Sequence, residues 1–147
     1  MIQIETCRSI YDEALPLMQS HWDAITPGGA MDFNRYALFG LEDVGVVRCY
    51  TAREGGALVG YLIYLVDESL YQKGRKIARD IGLYVVPEFR KGTTAVRLMR
   101  FAEDDLSEAG VAEVFQVIPA ASEPLGKMLE GMGYRHHETV FKKILKE

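Results

Sequence analysis

Hydrophobic positions follow two different spacings along the chain, and the change from one to the other marks the predicted elements. Apolar residues recur every third or fourth position over 10–22 and over 93–109, which is typical of amphipathic helices. An uninterrupted apolar run at 58–66 is instead typical of a central strand that is covered on both faces. Pro16 falls inside the first helical pattern and predicts a kink or a late start there.

Glycine, proline and capping residues divide the chain into elements. Ser9 resembles one helix start, Asp32 is expected to cap a second helix, and Gly-Gly at 55–56 predicts a hairpin. The predicted strands are 1–6, 46–53, 57–66, 76–86, 111–118, 134–138 and 139–145, and the predicted helices are 9–22, 33–41, 93–109 and 122–132. Three antiparallel strands followed by strand–helix–strand predict an α+β fold, in which a mixed sheet has helices on its faces.

Composition places few limits on the function. The chain has 147 residues, a net charge of −4 and 48% hydrophobic residues, which predicts one globular domain over 1–147. The acidic balance argues against nucleic-acid binding, and no apolar run reaches the roughly 18 residues of a membrane span. Cys7 and Cys49 show neither metal spacing nor a disulfide framework, so we expect free thiols and a cytoplasmic protein without a metal.

The stretch 81–106 carries the clearest chemical signal. A buried strand ends at Pro87, the basic loop RKGTTA follows at 90–95, and an amphipathic helix begins there. The first N–H groups of a helix have no partner inside the helix, and the helix dipole is positive at this end. This arrangement predicts an anion site of the kind that holds a diphosphate.

The element order and two motifs resemble the GCN5-related N-acetyltransferase (GNAT) family, most closely its compact bacteriophage-encoded members. The sequence LYVVPEFR at 83–90 is similar to the family's strand before the acetyl-CoA loop. Arg90 and Ala95 match the first and last places of the loop pattern Arg/Gln-x-x-Gly-x-Gly/Ala, whereas Thr93 stands at the central glycine. LEGMGY at 129–134 is similar to the family's late helix, which ends in Gly-Phe/Tyr.

The resemblance implies a GNAT-like fold, with a mostly antiparallel sheet of six to seven strands, about four helices and a splayed central strand pair. It implies acetyl-CoA as the cofactor. The pantetheine arm would pair with the backbone of Leu83, Tyr84 and Val85, and a backbone N–H near Val85 would stabilise the thioester oxygen. Gly82 suits a bulge at the splay. The diphosphate would be bound by the loop residues Arg90, Lys91, Gly92, Thr93, Thr94 and Ala95.

The implied reaction is direct attack of an amine on the thioester, which needs a proton acceptor. Asp80, at the start of the central strand, is the first choice, and Asp67 and Glu68 are second choices; a surface ion pair is the alternative for Asp80. The family's acid is often a tyrosine at the position of Leu129, so either Tyr84 or Tyr134 would replace it or the thiolate would take a proton from solvent. His136 and His137 are expected to be surface or structural residues.

The leading hypothesis is therefore an acetyl-CoA-dependent N-acetyltransferase. Its acceptor is a small-molecule amine or a protein, and a homodimer through the final strands is a further expectation. The alternative is a non-catalytic acyl-CoA-binding or protein-interaction module that keeps the fold, which Thr93 and Leu129 favour. A nucleotide-binding domain would need Gly-x-Gly-x-x-Gly or a Walker loop, and the sequence has neither.

Overall fold

The computed structural model describes residues 1–120 and 122–146, and in these residues five strands form one sheet. The sheet order is β1-β2-β3-β4-β5, in which β4 and β5 are parallel and the other neighbours are antiparallel. The elements are β1 (Ile2–Ile4), α1 (Cys7–Ile25), α2 (Arg35–Asp43), β2 (Val47–Glu54), β3 (Ala57–Glu68), β4 (Lys76–Val85), α3 (Thr94–Glu108), β5 (Val111–Phe115) and α4 (Glu123–Gly131).

The chain divides into two compact units, Met1–Val117 and Ile118–Glu147. The first unit contains the sheet and α1 to α3, and the second contains α4. The single domain over 1–147 stays a prediction. No described helix combines the length and apolar character needed to cross a membrane.

The prediction of six to seven strands is wrong for the described residues, because 134–146 form no strand. The apolar residues that suggested strands there are exposed, Phe141 at 91% and Leu145 at 83%. Strand propensity measures how well a side chain suits a half-buried, paired surface, and it cannot supply the pairing itself. The predicted homodimer through this segment stays a prediction.

Helix starts differ from the predictions by a few residues. The side chain of Thr6 accepts a hydrogen bond from Ser9 N at 3.1 Å, so α1 begins earlier than the sequence suggested. Pro16 lies inside this helix. The side chain of Asn34, not that of Asp32, caps α2 by accepting from Ala37 N at 3.2 Å. A short polar side chain caps only where it reaches an N–H of the first turn, and local spacing does not decide which candidate does so.

The core of the sheet agrees with the apolar pattern. The predicted hairpin is confirmed: Gly55 and Gly56 have φ values of +56° and +84°, as a two-residue turn between twisted strands requires. The strand β3 lies in the middle of the sheet, and its residues are buried over most of its length. The helices α1 and α3 both contact β3, and β4 pairs with β3 along most of its length.

Ion pairs and hydrogen bonds connect α1 to the hairpin formed by β2 and β3. Arg53 donates from Nε to Glu5 at 2.8 Å and from a terminal nitrogen to Glu13 of α1 at 2.9 Å. Glu13 also accepts from Leu58 N at 3.1 Å. The Arg53 hydrogen bond is the main cause that lowers the pKa of Glu5 to about 2, although partial burial opposes it.

Replacing Arg53 with methionine should destabilise the protein by on the order of 3 kcal/mol, because the Glu5 carboxylate would lose its counter-charge in a largely buried place. The stabilisation from this pair is present above the ordinary Glu pKa of 4.5 and is lost as the pH falls through about 2. Denaturant unfolding at pH 7 and pH 3 measures both effects. Arg8→Met is the matched control, because the Arg8–Asp43 pair is exposed and should contribute less than about 1 kcal/mol. Equal losses in the two variants would contradict this prediction.

Candidate active site

The strands β4 and β5 separate halfway along β4. Their parallel pairing runs from Lys76 and Val111 to Arg79 and Phe115, where β5 ends. Because β4 continues to Val85, the residues after Arg79 have no strand partner on that side within the described sheet. The pairing ends where the sequence predicted a splay, but the pair lies at the edge of a five-stranded sheet and the prediction of a central pair is wrong.

A β-bulge marks the start of this free edge. Ile63 pairs with Gly82 and Tyr64 pairs with Asp80, so that Ile81 is an extra residue on β4. Bulges bend a strand, raise its twist and re-aim neighbouring groups, and they are common beside active sites. The bulge expected near Gly82 is therefore present, one residue before it.

Asp80 lies at the point of separation. Its side chain is 8% exposed, and its carboxylate accepts a hydrogen bond from Val117 N at 2.6 Å, which connects β4 to the segment after β5. Burial raises the pKa of Asp80 to about 6, and the hydrogen bond from Val117 and the charge of Arg79 oppose that rise. The alternative of a surface ion pair is wrong, because this carboxylate is buried.

The pairing of β4 decides which backbone groups face the splay. Val86 N donates to Val59 O at 2.8 Å, and hydrogen-bonded and non-hydrogen-bonded pairs alternate along antiparallel strands. The N–H and C=O groups of Leu83 and Val85 therefore point away from β3, whereas those of Tyr84 point towards it. Of the three predicted pantetheine contacts, Tyr84 offers its side chain more readily than its backbone.

The loop after β4 leads directly to the start of α3. A short 3-10 turn over Pro87–Phe89 reverses the chain, and Thr93 is the residue before the helix. The first bond along the helix runs from Arg97 N to Thr93 O at 2.8 Å, and the side chain of Thr93 makes no capping bond. The N–H groups of residues 94–96 thus have no helical acceptor, and Lys91, Gly92 and Thr93 around them are exposed.

Arg90 folds back onto the strand. Its Nε donates to Val85 O at 2.7 Å, and its guanidinium lies 5.1 Å from the centre of the Tyr84 ring. One predicted diphosphate residue therefore contacts a predicted pantetheine residue directly. This links the loop to the free edge of β4 by a charged side chain.

The sequence analysis missed His21, which lies on α1 against β4. The His21 ring stacks on Tyr84 with 5.3 Å between centroids and 14° between planes, and its Nδ1 is 2.9 Å from Tyr61 Oη. A signal existed in the sequence: His21 continues the helical stripe of buried residues formed by Ile10, Ala14 and Met18. A polar ring on an otherwise apolar stripe needs a partner inside the protein.

The two second-choice bases lie elsewhere on the sheet. Glu68 pairs with Lys76 at the opposite end of β4, and Asp67 pairs with Ile77, so neither second-choice base is beside the bulge. Tyr134 belongs to the second unit, where its N–H donates to Leu129 O at 3.0 Å. The described residues contain no cluster of three or more His, Cys, Asp or Glu side chains that could hold a metal ion.

A sequence profile of the Acetyltransferase (GNAT) family matches residues 8–134. The chain belongs to the GNAT family of acetyltransferases. Family members use acetyl-CoA, and that is the cofactor of this GNAT protein. No curated protein sequence is significantly similar to it.

Solved GNAT-like structures match over nearly the whole chain. A ribosomal-protein-alanine N-acetyltransferase from Brucella melitensis biovar Abortus 2308 is 19% identical, with a TM-score of 0.76 and 99% of each chain covered. The aminoglycoside acetyltransferase meta-AAC0020 from an uncultured soil metagenomic sample, in complex with sisomicin, is 15% identical, with a TM-score of 0.80 and coverage of 99% of this chain and 96% of that one. These likenesses show the fold. The narrower resemblance to bacteriophage-encoded members has no support in the comparisons.

The residues of this GNAT protein fit acetyl-CoA. An anionic diphosphate suits the unpaired N–H groups at the start of α3 and the charges of Arg90 and Lys91. An amide-rich arm suits the free N–H and C=O groups of Leu83 and the free N–H group of Val85, which can bond as the groups of an added strand would, whereas the C=O group of Val85 already accepts from Arg90. Both features belong to one continuous stretch, 83–96.

Proposed function

We propose that this GNAT protein is an N-acetyltransferase, which forms one domain over 1–147. It transfers an acetyl group from acetyl-CoA to a primary amine. The observation that carries the proposal is the free edge of β4, which starts at a bulge and leads through an exposed loop to the N-terminus of α3. Acetyl-CoA supplies the acetyl group as a thioester, whose carbonyl carbon is open to attack and whose sulfur leaves as a thiolate. The protein supplies position and electrostatic stabilisation.

The loop would hold the diphosphate. Backbone N–H groups from Lys91 to Ala95 are the donors, with charge from Arg90 and Lys91. Thr93 stands where the family prefers glycine, but its side chain makes no capping bond and its hydroxyl is free to donate to a phosphate oxygen. Thr93 therefore leaves less room for the diphosphate than glycine would, but it adds one hydrogen-bond donor.

The free edge of β4 would hold the pantetheine arm. An arm that starts at the loop meets Val85 first, Leu83 next and the bulge at Ile81 last. We therefore put the reactive thioester end beside the bulge and Gly82, instead of at Val85 as the sequence suggested. Directly opposed residues of β3 and β4 share a face of the sheet, and successive residues alternate between the two faces. Buried side chains therefore flank the bulge on both faces of β4.

Asp80 is the proposed general base. It shares a face with Tyr64, directly before the bulge, and burial raises the pKa of Asp80 to about 6. The carboxylate is then mostly ionised at neutral pH yet basic enough to accept a proton from an amine, the balance that general bases need. Tyr84 is the proposed acid for the leaving thiolate, and the role of Tyr134 as an acid stays a prediction.

The proposed acceptor is a cationic small-molecule amine. The net charge of −4 favours cations, and solved structures of similar fold include acetyltransferases in complex with sisomicin and with a CoA–acetylneamine bisubstrate analogue. A loop between α1 and α2 is held beside α1 by Trp22, whose ring N–H donates to Gly29 O at 3.0 Å. This loop is the proposed mouth of the acceptor site.

An acetyl-transfer assay tests the proposal. We expect purified protein to release free CoA from acetyl-CoA in the presence of sisomicin, neamine or spermidine, with the acetylated amine identified by mass spectrometry. A peptide with an N-terminal alanine is the comparison acceptor and should react more slowly. Binding of acetyl-CoA without transfer to any of these amines would favour the non-catalytic acyl-CoA-binding module, as the missing tyrosine at Leu129 suggests.

A further inference from the structure

His21 covers the one residue beside the bulge that has no side chain. A Cβ atom placed on Gly82 would lie 3.4 Å from Tyr61 Cε1 and 3.8 Å from His21 Cε1. Since Tyr61 and Tyr84 are directly opposed, the ring stacked on Tyr84 lies on the same face of the sheet. Asp80 faces the other side with Tyr64. The imidazole and the carboxylate thus flank the start of the free edge from opposite faces.

The hydrogen bond to Tyr61 decides which tautomer His21 adopts. Tyr61 is 3% exposed, and among the residues that the structure describes its hydroxyl bonds to His21 Nδ1 alone, at 2.9 Å. If Nδ1 carried the hydrogen, the phenolic hydrogen would be buried without an acceptor, which is unfavourable for a buried donor. Tyr61 therefore donates to Nδ1, and the hydrogen of the neutral ring is on Nε2.

The surroundings keep this ring neutral. Burial lowers the pKa of His21, and the positive charge of Arg90 lowers that pKa further. Burial also raises the pKa of Tyr61, so the phenol keeps the proton that it donates. Among the described residues, Nε2 of His21 has no hydrogen-bond partner, and this atom is not fully buried. A neutral imidazole with a fixed tautomer thus presents an unused N–H donor beside the bulge.

We propose that His21 donates this Nε2–H hydrogen bond to the carbonyl oxygen of the acetyl thioester, and that Tyr61 is the positioning residue that fixes the required tautomer. The inference rests on the proposed function, because it takes the thioester end to be beside Gly82. A donor aimed at an oxygen that gains negative charge stabilises the transition state more than the ground state. His21 is then not the general base, since its accessible nitrogen already carries a hydrogen.

Nuclear magnetic resonance of the ¹⁵N-labelled protein tests the tautomer without catalysis. In the free protein at pH 7.5, we expect the His21 ring to be neutral, with Nε2 protonated and Nδ1 unprotonated. A stable ketone analogue of acetyl-CoA, in which a methylene replaces the thioester sulfur, should move the Nε2 proton signal downfield. A hydrogen on Nδ1 would overturn the inference, and so would bound analogue with an unmoved signal. Failure of the analogue to bind would remove the cofactor site itself, which is a different result.

Two variants of His21 separate hydrogen-bond donation from packing. His21→Leu should lower kcat on the order of 100-fold, as the loss of one donor to a developing oxyanion does, with little change in KM for acetyl-CoA. His21→Gln should keep more of kcat, because its amide can accept from Tyr61 and still donate an N–H. Tyr61→Phe should lower kcat less and raise the fraction of His21 with a hydrogen on Nδ1.

Each other outcome of this series counts against the inference. Equal losses of kcat in His21→Leu and His21→Gln would indicate that the ring acts as a base or through packing. A wild-type kcat in His21→Leu would overturn the inference. If the wild-type protein acetylates none of the amines named above, the proposed function fails, and the transfer rates of the variants carry no information. The resonances of the free protein and its ketone complex then still decide whether His21 is the donor.

Discussion

Replacing Ala95 with tryptophan should weaken the binding of acetyl-CoA by on the order of 100-fold or more, because about two charge-assisted hydrogen bonds, each worth about 1.5–3 kcal/mol, would be lost. Ala95 lies in the first turn of α3, where the N–H groups of residues 94–96 have no helical acceptor. A large side chain there would hold a diphosphate away from those donors. Isothermal titration calorimetry with acetyl-CoA measures the dissociation constant directly.

Ser107→Trp is the matched control. Ser107 is an exposed small residue near the other end of the same helix, so the substitution adds the same bulk away from the N-terminus. We expect its affinity for acetyl-CoA to equal that of the wild-type protein, and both variants to keep the far-ultraviolet circular dichroism of the wild type. Unchanged affinity in Ala95→Trp would remove the loop from the cofactor site.

Asp80→Asn should lower kcat by on the order of 10²- to 10⁴-fold, the usual contribution of a general base, with a much smaller effect on the affinity for acetyl-CoA. Asparagine keeps an oxygen that can accept from Val117 N, so the bond across the splay survives and only the proton acceptor is lost. In the wild-type protein, kcat should fall as the pH drops through about 6, where the carboxylate becomes protonated. Steady-state rates over pH 5–9 measure this profile.

The same substitution should raise stability. The pKa of Asp80 is about 6 in the folded protein against an ordinary 3.8, so the folded state holds its proton more tightly. The wild-type protein therefore loses stability as the pH rises from 3.8 through 6, by about 3 kcal/mol at 1.36 kcal/mol for each pKa unit. Asp80→Asn lacks this loss and should have a higher Tm than the wild type at pH 7.5, with the difference shrinking towards pH 4.

A control variant distinguishes the charge from the hydrogen bond. Asp80→Leu removes both the base and the acceptor for Val117, so it should lose activity and also destabilise the segment after β5. If Asp80→Asn keeps wild-type kcat and pH profile, the carboxylate serves only to hold the splay, and the base must be another group. A lower Tm for Asp80→Asn at pH 7.5 would show that the buried charge is better stabilised than its surroundings suggest.

The local patterns that predicted elements correctly are those in which the signal lies within a few residues. The hairpin at Gly55 and Gly56 follows from residues that tolerate positive φ, and α3 follows from its apolar stripe. The tail at 134–146 had equally suggestive strand composition, yet a strand forms only where a second strand offers hydrogen bonds. Predictions that depend on a distant partner are therefore the ones that changed.

The sequence alone determined the anion-binding character of the loop at 90–95, because a strand, a basic loop and a helix start are consecutive in the chain and the unpaired N–H groups follow from helix geometry alone. Only the tertiary structure decided which side chains meet at the bulge. His21 and Tyr61 are separated by 40 positions, and Asp80 and Val117 by 37, so no local pattern could pair them. Burial then shifts the pKa values of His21, Tyr61 and Asp80. How far a group is removed from water depends on the residues packed around it and not on its own identity.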